Sequence, residues 1–152
     1  MSKVVKRGSV KARRKTARLA ASQAVYQTFV TDKDARTIVS EFLTHYLNQD
    51  VEGEPLITAD AETLSKLVQG VEERKDDLKD LIQPHLKNRE LENLDGLLQS
   101  MLYVGTFELL DNTETDVAIL MNDYIDVAKA FYDDKEASLV NAVLDGVAKS
   151  IR

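Results

Sequence analysis

The feature that most constrains this chain is how seldom its hydrophobic rhythm is broken. From about residue 16 to the C-terminus, apolar residues recur every three to four positions, the repeat that puts side chains on one face of an α-helix. Only 2 of the 152 residues are proline and 6 are glycine, so few positions can stop a helix. No segment of useful length alternates with the period of two that a half-buried strand requires. The pattern therefore specifies an all-α chain of about six or seven helices, joined by the short connections typical of antiparallel neighbours. The length suits one domain, or two small halves sharing a core.

The helices can be placed from their apolar stripes. The first begins at Thr16 and presents Ala17, Ala20, Ala21, Ala24, Val25 and Thr28 on one side. So small a stripe lets a neighbouring helix approach closely, which predicts a position near the centre of the fold. The second runs from about Asp34 to Leu47. A loop over Asn48 to Thr58 contains Gly53 and Pro55, and Thr58 is placed to cap the next helix. That third helix, about Ala59 to Gln83, is the longest; Arg74 and Lys75 interrupt its stripe, and Pro84 ends or kinks it. A fourth spans about Leu94 to Leu109, a fifth about Thr115 to Phe131 and a sixth about Lys135 to Ile151.

Charge is distributed unevenly. The net charge is −6, yet residues 1–18 hold eight basic groups and no acid, leaving 12 basic against 26 acidic groups beyond them, a net of −14. A basic start on an acidic body points either to a polyanion partner or to a solubilising tail. Residues 1–12 read as a flexible basic arm, and residues 13–152 as the folded domain. No apolar run nears the ~20 residues of a membrane span. The absence of cysteine removes thiolate chemistry, disulfides and cysteine-ligated zinc.

The catalytic inventory is thin. His45 reads as a partly covered helix residue and His85 as a surface residue, and neither has metal-ligand spacing. Glu72, Glu73, Asp76, Asp77 and Asp80 cluster on the third helix, but Lys75 and Lys79 are interleaved with them, the pattern of a solvated face. There is no glycine-rich phosphate loop and no nucleophile elbow. These residues imply a binding protein, with no catalytic centre, metal or cofactor. The basic run enters the first helix at Arg13, Arg14, Lys15 and Arg18; Lys15 and Arg18, three apart, share a face suited to phosphate oxygens. Contact with about four phosphates would give log affinity against log salt a slope of roughly −3. Tyr26, two turns on, is either a base-stacking aromatic or a core residue.

Four blocks carry a resemblance to the NusB family of transcription antitermination factors. They are RRKTARLAASQAVYQ (13–27), GVEERKDDLKDLIQPHLKN (70–88), LYVGTFELL (102–110), and MNDYIDVAKAF (121–131) followed by SLVNAVLDGVAKSIR (138–152). They occur in the family's order and cover essentially residues 13–152. The resemblance implies a compact NusB-like bundle in two halves. It implies a cytoplasmic factor that binds single-stranded boxA-type RNA with the ribosomal protein NusE and acts on RNA polymerase, mainly in ribosomal RNA operons. The family's RNA contacts fall on Lys15, Arg18 and Tyr26, with Arg13 and Arg14 in the same run. Its partner contact falls on the last two helices and their connection, around Phe131, Asp133, Asp134 and Leu139; the two aspartates suit a basic protein.

The chain departs from the family pattern at several positions. Leu98, Gln99 and Tyr103 replace a charged arrangement, which predicts an internal ion pair exchanged for neutral groups. Tyr132 and Ala142 replace glycines, and Tyr132 would be strained if its φ were positive. Arg89 stands where the family often has an aromatic. Two other readings stay open: a protein–protein adaptor without sequence-specific RNA binding, and an accessory module of ribosomal RNA processing. The same fold also forms the N-terminal part of ribosomal RNA cytosine methyltransferases; a chain ending at Arg152 is expected to lack the methyltransferase domain.

Overall fold

The computed structural model describes residues 10–47 and 58–152, with side chains over 13–45 and 61–152. The described residues form six α-helices and two 3₁₀ turns, and no strand occurs among them. The helices are α1 (Val10–Val30), α2 (Ala35–Leu47), α3 (Thr58–Ile82), α4 (Gly96–Asp111), α5 (Val117–Phe131) and α6 (Asp134–Ile151). All six expected helices are present. The first starts earlier than Thr16, so residues 10–12 of the expected arm already have helical backbone. Residues 1–9 of that arm, the expected loop up to residue 57 and the Thr58 side chain lie outside the described residues.

Local chemistry sets several helix ends. At the start of α2 the Thr37 N–H donates to Asp34 Oδ1 at 2.9 Å, and the Ala35 N–H donates to Glu72 Oε2 at 2.8 Å. Two amides with no partner inside the helix are thereby satisfied, one of them from α3. Helix α3 bends at Arg74 (φ −118°, ψ 22°), within a stretch, residues 72–77, that is exposed throughout. Pro84 then directs the chain into the first 3₁₀ turn. The Gln83 side chain ties down the segment beyond, donating to Arg89 O at 2.6 Å and accepting from the Leu91 N–H at 3.0 Å. At the other end of the molecule Arg152 donates to Leu109 O and Thr115 O, both at 3.2 Å, and to Asn112 O. It thus supplies donors to carbonyls that the end of α4 leaves open.

Helices α1–α3 form one half and α4–α6 the other, joined where α1 meets α4 and α5 and where α3 meets α4. Helix α1 packs against four helices, as its small-residue stripe predicts. The most enclosed element, however, is α4: every residue from Ser100 to Leu109 is buried. A helix contacted by α1, α3, α5 and α6 has no side left for water, and its sequence is accordingly apolar nearly all round. Gly70 of α3 packs directly against Phe107 of α4. A Cβ there would lie 2.2 Å from Phe107 Cζ, so the aromatic ring occupies the space of the missing side chain. His85, expected at the surface, is half-buried with its ring against Gly146 of α6.

Candidate nucleic-acid interface

Helix α1 presents two charged faces. Arg14 and Arg18 are one turn apart and turn toward α4 and α5. Arg14 donates to Asp123 through Nε at 3.0 Å and Nη2 at 3.4 Å; its side chain remains 32% exposed while that of Asp123 is 1% exposed. Arg18 is buried, donating through Nε to Glu108 Oε1 at 2.9 Å and through Nη2 to Glu108 Oε2. Its Nη1 donates to Arg14 O at 3.2 Å, and its Nε lies 3.7 Å from Asp123 Oδ2. Glu108 also accepts from the Tyr124 hydroxyl at 2.7 Å and from Asn112 Nδ2 at 3.3 Å.

This cluster holds two cations and two carboxylates, so it is neutral overall and rich in hydrogen bonds, as a buried ionic group must be. Burial works against the Arg18 charge, but the surrounding Tyr124, Glu108 and Asp123 outweigh it and hold the guanidinium above its ordinary pKa. Burial, reinforced by Glu108, pushes the Tyr124 hydroxyl well above the usual tyrosine range, so it remains a donor.

The expectation that Arg18 shares an exposed phosphate-facing surface with Lys15 is therefore corrected. The guanidinium of Arg18 is enclosed and its donors are directed inward, which takes it off the outer face. At Leu98, Gln99 and Tyr103 the structure holds the neutral groups expected there: Leu98 and Tyr103 are buried and Gln99 donates to backbone carbonyls at 2.8 and 3.3 Å. The ionic cluster lies elsewhere, on Arg18, Glu108 and Asp123. A signal for it was present in the sequence. Arg18 precedes Ala21, Ser22 and Val25 at helical spacing, and all three are buried; Glu108 is an acid inside the apolar run LYVGTFELL.

The adjacent, outward-turned face of α1 carries Lys15, Leu19, Gln23 and Tyr26, all half-buried and spaced by four, four and three residues. Among the described residues no carboxylate pairs with Lys15. Arg13, two residues earlier, is also half-buried. At the far end of the face a cleft of about 590 Å³ opens between α1, α2 and the start of α4. Gln23, Tyr26 and Gln27 form one wall, Ile38, Glu41, Phe42 and His45 the other, and Leu97 the end. The Tyr26 ring lies against Gly96, where a Cβ would approach Cε1 to 2.7 Å. Tyr26 is thus neither a core residue nor a fully exposed one; it lines an open, aromatic-walled cleft.

The residues expected to meet a partner gather elsewhere. Phe131 ends α5 and is 37% exposed. Asp133 and Asp134 are exposed at the start of α6, and Leu139 lines a groove of about 770 Å³ together with Leu98 and Tyr132. Tyr132 has extended backbone (φ −137°, ψ 171°), so the strain considered for it does not arise. Ala142 is an exposed residue within α6, and Arg89 lines the same groove. Among the described residues no group of His, Asp and Glu is arranged to hold a metal, and no helix is long and apolar enough to cross a membrane.

The profile of the NusB family matches residues 15–149. The transcription antitermination protein NusB of Sinorhizobium fredii is 42% identical over 140 residues, spanning 91% of this chain and 88% of that protein. The protein of the same name from Rhizobium rhizogenes is 39% identical over equal shares. Among solved structures, NusB of T. maritima has a TM-score of 0.77 at 26% identity, covering 90% of each chain. A chain of the crystal structure of antitermination factors NusB and NusE in complex with dsRNA has a TM-score of 0.75 at 20% identity, with 91% and 98% covered, and shares the fold.

Proposed function

Because this chain belongs to the NusB family, a family of transcription antitermination factors, we propose that it binds boxA-type single-stranded RNA together with the ribosomal protein NusE. The complex acts on RNA polymerase to suppress termination, mainly in ribosomal RNA operons. The observation that carries the RNA part is the outer face of α1, where a basic start and an aromatic cleft lie on one helical stripe. Lys15 serves the phosphate backbone, with Arg13 earlier in the same basic run, and the cleft at Tyr26 takes an unstacked base. Amide side chains such as Gln23 and Gln27 can hydrogen-bond a base edge while an aromatic ring stacks on its face. Arg14 gives Nε and Nη2 to Asp123 and has Nη1 left to meet a phosphate from its partly exposed side chain.

The partner surface is the α5–α6 connection with Phe131, Asp133, Asp134 and Leu139. Two exposed aspartates at the start of a helix steer a basic protein toward the apolar Phe131 and Leu139. The relatives named for antitermination and the solved assembly of NusB and NusE with dsRNA support an antitermination role with NusE and RNA as partners; the surface residues are proposed from their exposure and charge.

The deciding experiment titrates boxA-type RNA into the protein with and without NusE and repeats both titrations with Tyr26→Ala. The proposal expects binding that NusE strengthens and that Tyr26→Ala weakens in both cases. An adaptor without sequence-specific RNA binding would bind NusE and give the same weak affinity for boxA-type and scrambled RNA.

A further inference from the structure

Of the seven residues Lys129–Lys135, which span the end of α5, the two-residue connection Tyr132–Asp133 and the start of α6, six are exposed and only Tyr132 is packed against the core. Its hydroxyl donates to Oδ2 of Asp95, a residue 37 positions away. Asp95 directly precedes α4, where an aspartate commonly accepts a hydrogen bond from the first-turn amides. It makes no such cap here, and its carboxylate bonds Tyr132 instead. Burial, and after it the Asp95 carboxylate, push the Tyr132 hydroxyl above its ordinary pKa, so it stays protonated and able to donate. Both residues line the 770 Å³ groove, with Leu98 on the α4 side and Leu139 on the α6 side.

We propose that Tyr132 is a positioning residue for the partner. By bonding Asp95 it anchors the α5–α6 connection to the start of α4, so that Phe131, Asp133, Asp134 and Leu139 form a preset surface for a basic ribosomal protein. This rests on the assignment of the α5–α6 surface to NusE. The physical reason is preorganisation. An exposed connection with no anchor must be ordered when the partner binds, and that ordering subtracts from affinity. Tyrosine at this position supplies both the ring that packs and the hydroxyl that bonds, and glycine would supply neither.

The test compares NusE affinity and melting temperature for the parent, Tyr132→Phe, Asp95→Ala, Asp95→Asn and the Tyr132→Phe/Asp95→Ala double variant, with Asp133→Lys/Asp134→Lys as a probe of the surface itself. Tyr132→Phe keeps the ring and removes only the bond. It and Asp95→Ala should each weaken NusE binding by about fivefold to tenfold with little change in melting temperature, and the double variant should be no weaker than either. Asparagine still offers an acceptor oxygen, so Asp95→Asn should keep binding within about twofold of the parent. If Tyr132→Phe binds NusE like the parent while the aspartate reversal weakens association, the positioning role is wrong and the surface stands. A loss of binding that accompanies a large fall in melting temperature also overturns the role, leaving Tyr132 purely structural. If the aspartate reversal changes nothing, the surface assignment fails and this inference with it.

Discussion

Arg18 and Lys15 stand three residues apart at the start of α1 and carry the same charge, yet they belong to different environments. Arg18 is enclosed by Glu108, Asp123 and Tyr124, all supplied by α4 and α5. Lys15 remains at the surface on a stripe that leads to the Tyr26 cleft. The inner pair of arginines ties the two halves of the fold together, whereas Lys15 has no carboxylate partner among the described residues. The contrast teaches that a basic run at a helix start is two sets of charges, divided by helical phase and by what the distant chain brings opposite each one.

The sharpest way to break the comparison is Arg18→Ala. It leaves Glu108 and Asp123 buried with too few cationic partners, and breaking such a pair costs about 3–5 kcal/mol. Denaturant unfolding should show that loss; a fall of only a few tenths of a kcal/mol would return Arg18 to the outer face. Next in size is Tyr26→Ala, expected to cost about 1–3 kcal/mol of RNA binding by removing a stacking surface, with the salt dependence kept. An unchanged RNA affinity would take the base site away from the cleft.

Two buried tyrosines, one on α4 and one on α5, should also make the protein sensitive to alkali. Tyr103, buried first and then influenced by Glu92 and Asp76, is pushed up to about 12, and Tyr124 is raised as well. A raised folded-state pKa favours the protonated form. Its contribution is therefore complete below the unfolded value near ~10 and is lost as pH climbs through the folded value. Stability measured between pH 9 and 12, taken as an approximate window, should fall, and Tyr124→Phe should reduce the steepness of that fall. A flat profile would mean that neither hydroxyl is held as described. The smallest expected effect is that of Lys15→Ala. Stability should stay within about 0.5 kcal/mol of the parent. The slope of log affinity against log salt should flatten by about 0.7, the share of one contact to single-stranded RNA. A stability loss as large as that of Arg18→Ala would erase the distinction between the two faces.

Much of the fold was legible because helical periodicity is a local property. The stripes located all six helices, and Pro84 marked the end of α3. The break in the stripe at Arg74 and Lys75 coincides with the bend at Arg74. The candidate site was legible only in part. Composition picked out the basic start, and the resemblance picked out Tyr26 and the α5–α6 connection. The separation of Arg18 from Lys15 was misjudged, because spacing on one helix shows which residues are neighbours but not what faces them. The cleft at Tyr26 could not be read either, since its walls come from α1, α2 and α4.

By itself the sequence determined the helix content, the helix boundaries apart from the start of α1, and the asymmetry of charge. Each depends on interactions among residues close in the chain: turn-by-turn hydrogen bonding, side-chain periodicity and the placement of breakers. Only the tertiary structure decided that Glu108 and Asp123 neutralise Arg18 and Arg14, that α4 rather than α1 is the most enclosed helix, and that Tyr132 bonds Asp95. These depend on contacts across 37 to 109 positions of chain. The energy of a charge or a hydroxyl depends on its solvent and its partner, and neither exists until the helices pack.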